Sequence, residues 1–247
     1  MTEKLRSVLE SRVERVAVVS RAGSDLSRFR FRGEIPRFTH SAFAIREPVG
    51  WRLRHVLNTH AGPEGHLYVQ DLEAFARDDP WEYRFEVLVP TAAIQDGLAR
   101  ALTTRLPTHL HETRYSAIAF PGSLRYQQSN QWLLEVMAAL QQPGTRPSRP
   151  AAQAFLRSRG LRPSVIEKRA LAGFVGQWAY RLRARNARFD DHPMGARARG
   201  HFAFVSSTTV RDFLADNDWL ADRIELCQGL IAGAPCPDEP VQGSLGF

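Results

Sequence analysis

Residues 51–57 alternate strictly, with Trp51, Leu53, His55 and Leu57 on one side and Arg52, Arg54 and Val56 on the other. A period of two predicts a strand with two distinct faces. Residues 38–45 form a second strand, apolar and bounded by Pro36 and Pro48. The turn Glu47-Pro48-Val49-Gly50 joins the two as a hairpin. Two further strands are predicted at residues 15–20, which are apolar and β-branched, and at residues 82–89, which alternate. Residues 67–76 read as a short strand that runs into a helical turn and stops at Asp78-Asp79-Pro80.

Helical spacing fills the intervals. Residues 2–12 predict a short amphipathic helix, and Pro90-Thr91 opens another that runs to about residue 104 with Ile94, Leu98 and Leu102 on one side. Residues 130–140 are apolar on every side, which predicts a buried helix. Residues 116–120 are a short apolar segment. Residues 142–150 hold three prolines and a glycine and are the best linker in the chain. Beyond them come helices at 151–159 and 169–183, a polar loop at Asp190-Asp191-His192-Pro193, a strand at 201–206, and a last helix capped by Thr208 or Thr209. Strands and helices do not alternate regularly, so the fold class is α+β, an antiparallel sheet packed with helices. The expected organisation is a core over residues 1–142 that bears the site, and a helical extension with a returning strand over 143–247 packed on the same core.

Composition narrows the class. The 247 residues are 43% hydrophobic and 24% charged, values of a globular chain long enough to bury a full core. No apolar run approaches the ~18–20 residues of a membrane span. The N-terminus is polar and lacks the apolar centre of a secretory signal, so the chain as it stands is expected in the cytoplasm. Its two cysteines, Cys227 and Cys236, exclude a disulfide framework and leave at most one bridge in the tail. The formal net charge of +7 admits an anionic partner. Arginine is scattered along the chain, however, and the densest cluster, Arg181, Arg183, Arg185, Arg188, Arg197 and Arg199, has few interleaved aromatics. That pattern reads as a solvated basic surface and not as a nucleic-acid interface. His109-Leu110-His111-Glu112 is too sparse a ligand set to predict a metal. No metal or organic cofactor is implied.

Candidate chemistry gathers at the mouth of the helix that starts near residue 129, behind Tyr126-Gln127-Gln128-Ser129-Asn130-Gln131-Trp132. A helix N-terminus offers unpaired backbone N–H groups and a positive dipole end. Ser129 there is either a nucleophile or a plain helix cap. His40, at the start of one strand among small residues, and His55, on the paired strand, are a candidate base and its orienter. The alternative is that both are hydrogen-bonded structural residues. For Asp190, Asp191 and His192 a turn or cap is the simpler role.

Several stretches in one order carry a resemblance: Arg21-Ala22-Gly23-Ser24-Asp25-Leu26-Ser27, Thr39-His40-Ser41-Ala42-Phe43-Ala44, His55-Val56-Leu57-Asn58, Tyr115-Ser116, the segment 126–132 and Phe189-Asp190-Asp191-His192-Pro193. Across roughly residues 15–215 the chain resembles a bacterial family of unknown function, number 2145. More distantly it resembles the circularly permuted papain-like hydrolases, the NlpC-type peptidases and lecithin retinol acyltransferase-like enzymes. These keep a histidine on a strand, a polar group on the next strand and a cysteine at a helix start. His40, His55 and Ser129 stand in those places, with serine where the cysteine belongs. The resemblance implies a hydrolase or acyl transferase acting on an amide or ester of a peptide, lipid or protein conjugate. Ser129 would attack, His40 would take its proton, and His55, or failing it Asn58, would orient His40. Tyr126, Gln128, Asn130 and Asn58 would line an oxyanion or substrate site. A serine hydroxyl cannot ionise as a thiol can, so the competing reading is a non-catalytic ligand- or protein-binding module on the same fold.

Overall fold

A computed structural model describes residues 1–27, 29–58, 62–78, 80–168, 177 and 186–228. Nine strands and eight helices are defined among them: α1 (Thr2–Arg12), β1 (Val16–Arg21), β2 (Arg30–Arg32), β3 (His40–Glu47), β4 (Gly50–Asn58), β5 (Gly65–Asp71), α2 (Leu72–Arg77), β6 (Arg84–Pro90), α3 (Ala92–Ala101), α4 (Leu106–His109), α5 (Ser129–Leu140), α6 (Arg149–Ser158), β7 (Ser164–Glu167), α7 (Met194–Arg199), β8 (His201–Phe204), α8 (Ser207–Asp216) and β9 (Leu220–Cys227). The main sheet runs β5-β4-β3-β1-β6-β9 and a small one runs β2-β7-β8. Every pairing between these strands is antiparallel, so the α+β class holds. The β3–β4 hairpin closes at Gly50, whose φ of 108° suits a residue without Cβ.

Strand alternation divides the main sheet into two faces. Val16 and Val18, Phe43 and Ile45, Val56 and Leu88 form one cluster with Leu98 of α3, Trp132, Leu133 and Val136 of α5, Leu156 of α6 and Phe213 of α8. Their neighbours Ala17 and Val19, Ala42 and Ala44, Trp51 and Leu53, Phe85 and Val87 form the other, with Leu5 and Leu9 of α1 and Phe75 of α2. Both faces of β1 are covered, which is why its sequence is a continuous apolar run. Each large side chain buried in this way contributes about 1.5–3 kcal/mol. The small sheet has a core of its own, built from Phe31, Ile166, Ala187, Phe189, Phe202 and Phe204.

The 142–150 linker is short: Arg149 and Pro150 already start α6, whose Ala152 and Leu156 join the main cluster. Two details differ from expectation. The cap of α8 is Ser206, whose Oγ accepts from the Thr209 N–H at 3.0 Å, and not Thr208 or Thr209. Strands β2, β7 and β9 go unpredicted, the first two because three or four residues carry no readable period. The helix expected at 169–183 lies outside the described residues except for Gln177, as does Cys236. No free cysteine occurs among the described residues.

Candidate binding site at the end of the main sheet

Arg21 ends β1 and His40 begins β3, and the two are register partners. Alternation sets Arg21 beside Val19, His40 beside Ala42, and His55 beside Leu53, all on the face covered by α1 and α2. The short Ala42 and Ala44 side chains leave room there for two imidazoles. His40 Nε2 and His55 Nδ1 are 2.6 Å apart. Their rings meet edge to face with centroids at 4.9 Å, and Phe75 of α2 packs on both, at 6.0 Å from His40 and 5.4 Å from His55. The Arg21 guanidinium lies 5.1 Å above the same Phe75 ring and binds Asp78 at 2.7 Å.

Burial governs the electrostatics of this pair. His40 is 8% exposed and His55 is fully covered. Desolvation first, then His55 and the Arg21 cation, hold His40 well below the ordinary imidazole value of 6.5. Desolvation and Arg21 bring His55 down to about 3, against the Gln70 side-chain oxygen, which favours a proton on the ring and raises it. Both rings are neutral at pH 7, so one nitrogen of the close contact donates and the other accepts.

His40 also forms part of the wall of a cavity of about 340 Å³ between the end of the main sheet and the small sheet. Phe29, Phe38, Phe189, Phe202 and Phe204 make its apolar side, while Arg21, His40, Asn58 and Gln128 bring polar groups to it. Binding sites for small molecules commonly have this size and this mixture of an apolar wall with few polar groups.

Of the residues singled out in the sequence, the fold joins His40 and His55 but not Ser129. The helix that carries Ser129 packs through Trp132 and Leu133 on Phe43, Ile45 and Val56, on the opposite face from the two imidazoles. Ser129 is 2% exposed and is absent from the residues that line the cavity. It does not cap α5 either, since Gln128 does: its Oε1 accepts from the Asn130 N–H at 2.9 Å and its Nε2 donates to the Val205 carbonyl. Asn130 Nδ2 donates to the same carbonyl at 3.2 Å. The Tyr126 hydroxyl donates to Asp190 at 3.1 Å, and Tyr126 is not part of the cavity wall. Asn58 lines the cavity and donates weakly to the Gly62 carbonyl at 3.5 Å. As an oxyanion set, Tyr126, Gln128 and Asn130 are thus already occupied by partners in the protein.

The remaining candidates are structural. Asp191 Oδ2 accepts from the Phe120 N–H at 2.9 Å, and His192 Nε2 donates to the Ile118 carbonyl at 2.8 Å, tying the 189–193 loop to the 116–120 segment. His109 bonds the Pro147 carbonyl. Among the described residues no group of three or more His, Cys, Asp or Glu side chains could hold a metal, and no helix is long and apolar enough to cross a membrane. Sequence reasoning missed Arg21, Gln70 and Phe75. A lone arginine ending an apolar strand was the available signal for Arg21. The other two come from elements whose face toward the histidines is set by pairing and packing.

A family described as uncharacterised proteins conserved in bacteria, DUF2145, matches residues 8–214. No curated protein and no solved structure matches the chain.

Proposed function

The chain belongs to the bacterial family DUF2145, and we propose that it is a binding module that holds a largely apolar small molecule in the cavity between its two sheets. The observation that carries this reading is the cavity itself: five phenylalanines on one side and a neutral His40 on the other. Ser129, the nucleophile of the hydrolytic reading, is not among the described residues that line the cavity with His40. A neutral fluorescent apolar probe such as N-phenyl-1-naphthylamine should bind the protein with saturation. Ala117 lines the cavity, so Ala117→Phe should fill it and abolish saturable binding while the melting temperature holds or rises. Equal binding by that variant would sink the proposal.

A second reading is the amide or ester hydrolase or acyl transferase of permuted papain-like type. It is favoured by the chain order His40, His55, Ser129 and by Gln128, next to Ser129, sharing the cavity wall with His40. A serine-reactive fluorophosphonate separates the two readings. The binding module predicts no labelling that depends on Ser129; labelling lost in both Ser129→Ala and His40→Ala would establish the hydrolase instead.

A further inference from the structure

Two buried polar atoms near the histidine pair, His55 Nε2 and Gln70 Oε1, make no hydrogen bond of ordinary geometry, yet Gln70 is near enough to raise the His55 pKa. They belong to adjacent strands. His55 on β4 is opposite Tyr68 on β5, so Gln70, two residues on, projects from the same face as Tyr68 and is the diagonal neighbour of His55. Such a diagonal is within reach of a long side chain. An unpaired buried polar group costs about 1–3 kcal/mol, so the arrangement of protons that leaves fewest of them is favoured.

Both rings are neutral, which leaves two arrangements. In one, the His55 proton sits on Nδ1 and is donated to His40 Nε2. The bare Nε2 of His55 then faces the Gln70 carbonyl oxygen, and two acceptors are left without a donor. In the other, the His55 proton sits on Nε2 and can be donated to Gln70 Oε1. His55 Nδ1 then accepts across the 2.6 Å contact from His40 Nε2–H. From Gln70 Oε1 to His40 Nε2 every atom then has a partner, and His40 has its lone pair on Nδ1, the nitrogen not used on His55.

We infer that Gln70 fixes the tautomers of His55 and His40, so that His40 offers the cavity a hydrogen-bond acceptor and the site selects apolar molecules with a neutral donor head, such as an alcohol. The specificity rests on the binding reading above. Arg21 does not reverse it, because its charge is matched by Asp78 at 2.7 Å. A carboxylate would set its own lone pairs against His40 Nδ1, whereas a hydroxyl donates to it. Gln70 is a positioning residue: it acts on the ligand through two imidazoles and a single chain of hydrogen bonds running from β5 to the cavity.

Nitrogen-15 NMR of the ring nitrogens of the full chain, without ligand, tests the tautomers. Both His40 and His55 should carry the proton on Nε2, with the downfield resonance of a bare nitrogen on Nδ1. In Gln70→Leu, which keeps size but removes the carbonyl, both protons should move to Nδ1 while circular dichroism stays unchanged. Protons on Nδ1 in the wild type, or no shift in Gln70→Leu, would overturn the inference. The ligand arm compares 1-decanol with decanoate by calorimetric titration. The alcohol should bind about 10-fold more tightly, the value of one hydrogen bond. Equal binding, or tighter decanoate, refutes the selectivity. Binding of neither, with the tautomers as expected, refutes the binding module and leaves the role of Gln70 standing.

Discussion

Three buried histidines are held in the neutral form by desolvation: His40 well below 6.5, His55 near 3 and His192 near 4. As pH falls, the unfolded chain takes up protons before the folded one. The stability these residues supply is therefore complete above about pH 6.5 and is lost as pH falls through each folded value. Asp191 runs the other way. Burial raises its pKa from 3.8 to about 6, so its contribution is complete below about pH 3.8 and is lost as pH rises through 6. The Asp191 and His192 side chains are both fully covered, and each shift corresponds to ~3 kcal/mol. Between pH 6.5 and 4 the two therefore offset each other, which leaves His40 and His55 as the buried histidines whose acid sensitivity is not compensated. Asp191→Asn keeps an oxygen for the Phe120 N–H and removes the offset. Its melting temperature should fall more steeply than that of the wild type from pH 6.5 to 4; parallel curves would contradict the assignment.

Among the elements, α5 is the one whose side chains were hardest to place from sequence. Its buried character was readable, since residues 130–140 lack a polar side. Less readable was the use of its polar side chains. Gln127, Gln131 and Glu135 resemble a polar lining for a site, yet they are a buried network between α5 and α6. Glu135 accepts from Gln127 at 2.6 Å, Gln131 at 3.2 Å, Arg149 at 2.8 Å and Gln153 at 2.8 Å. Two of those partners come from α6, beyond the Pro-rich 142–150 turn, so no local pattern could assign them. Removing one partner strands a charge in the interior, at a cost of about 3–5 kcal/mol. Arg149→Met should lower urea stability by that amount, and a change below about 1 kcal/mol would mean that the network is not structural. The cap of α5 is worth less: Gln128→Ala should cost about 1 kcal/mol, and Ser129→Ala should cost less than that and leave probe binding in the cavity unchanged.

At the scale of the whole molecule, a six-stranded sheet lies between helices on both faces, and a small sheet closes a cavity against its end. The small sheet depends on Phe202, which is fully buried and packs on Phe189 at 4.8 Å and on His192 at 5.3 Å. Phe202→Ala should destabilise the protein by about 3–5 kcal/mol, measured by urea denaturation. Phe204, at the rim of the same cluster and 8% exposed, should cost less on the same change. Equal losses would mean that the cluster unfolds as a unit before the main sheet.

The chain by itself determined the α+β class, the β3–β4 hairpin, the buried α5 and the sharing of one face by His55 with Trp51 and Leu53. Each of these depends on periodicity, turn chemistry or composition over a few neighbouring residues, and local sterics enforce them wherever the segment sits. It also brought His40 and His55 together, because a short hairpin admits few registers. Only the tertiary structure decided which face of the sheet each helix covers, and that choice separated Ser129 from the histidines. Residues 40 and 129 are 89 positions apart by their numbers, and nothing in the intervening pattern says on which side of β3 the later helix will pack. Alternation makes that side decisive: a strand residue faces one layer or the other, and His40 faces Phe75 of α2.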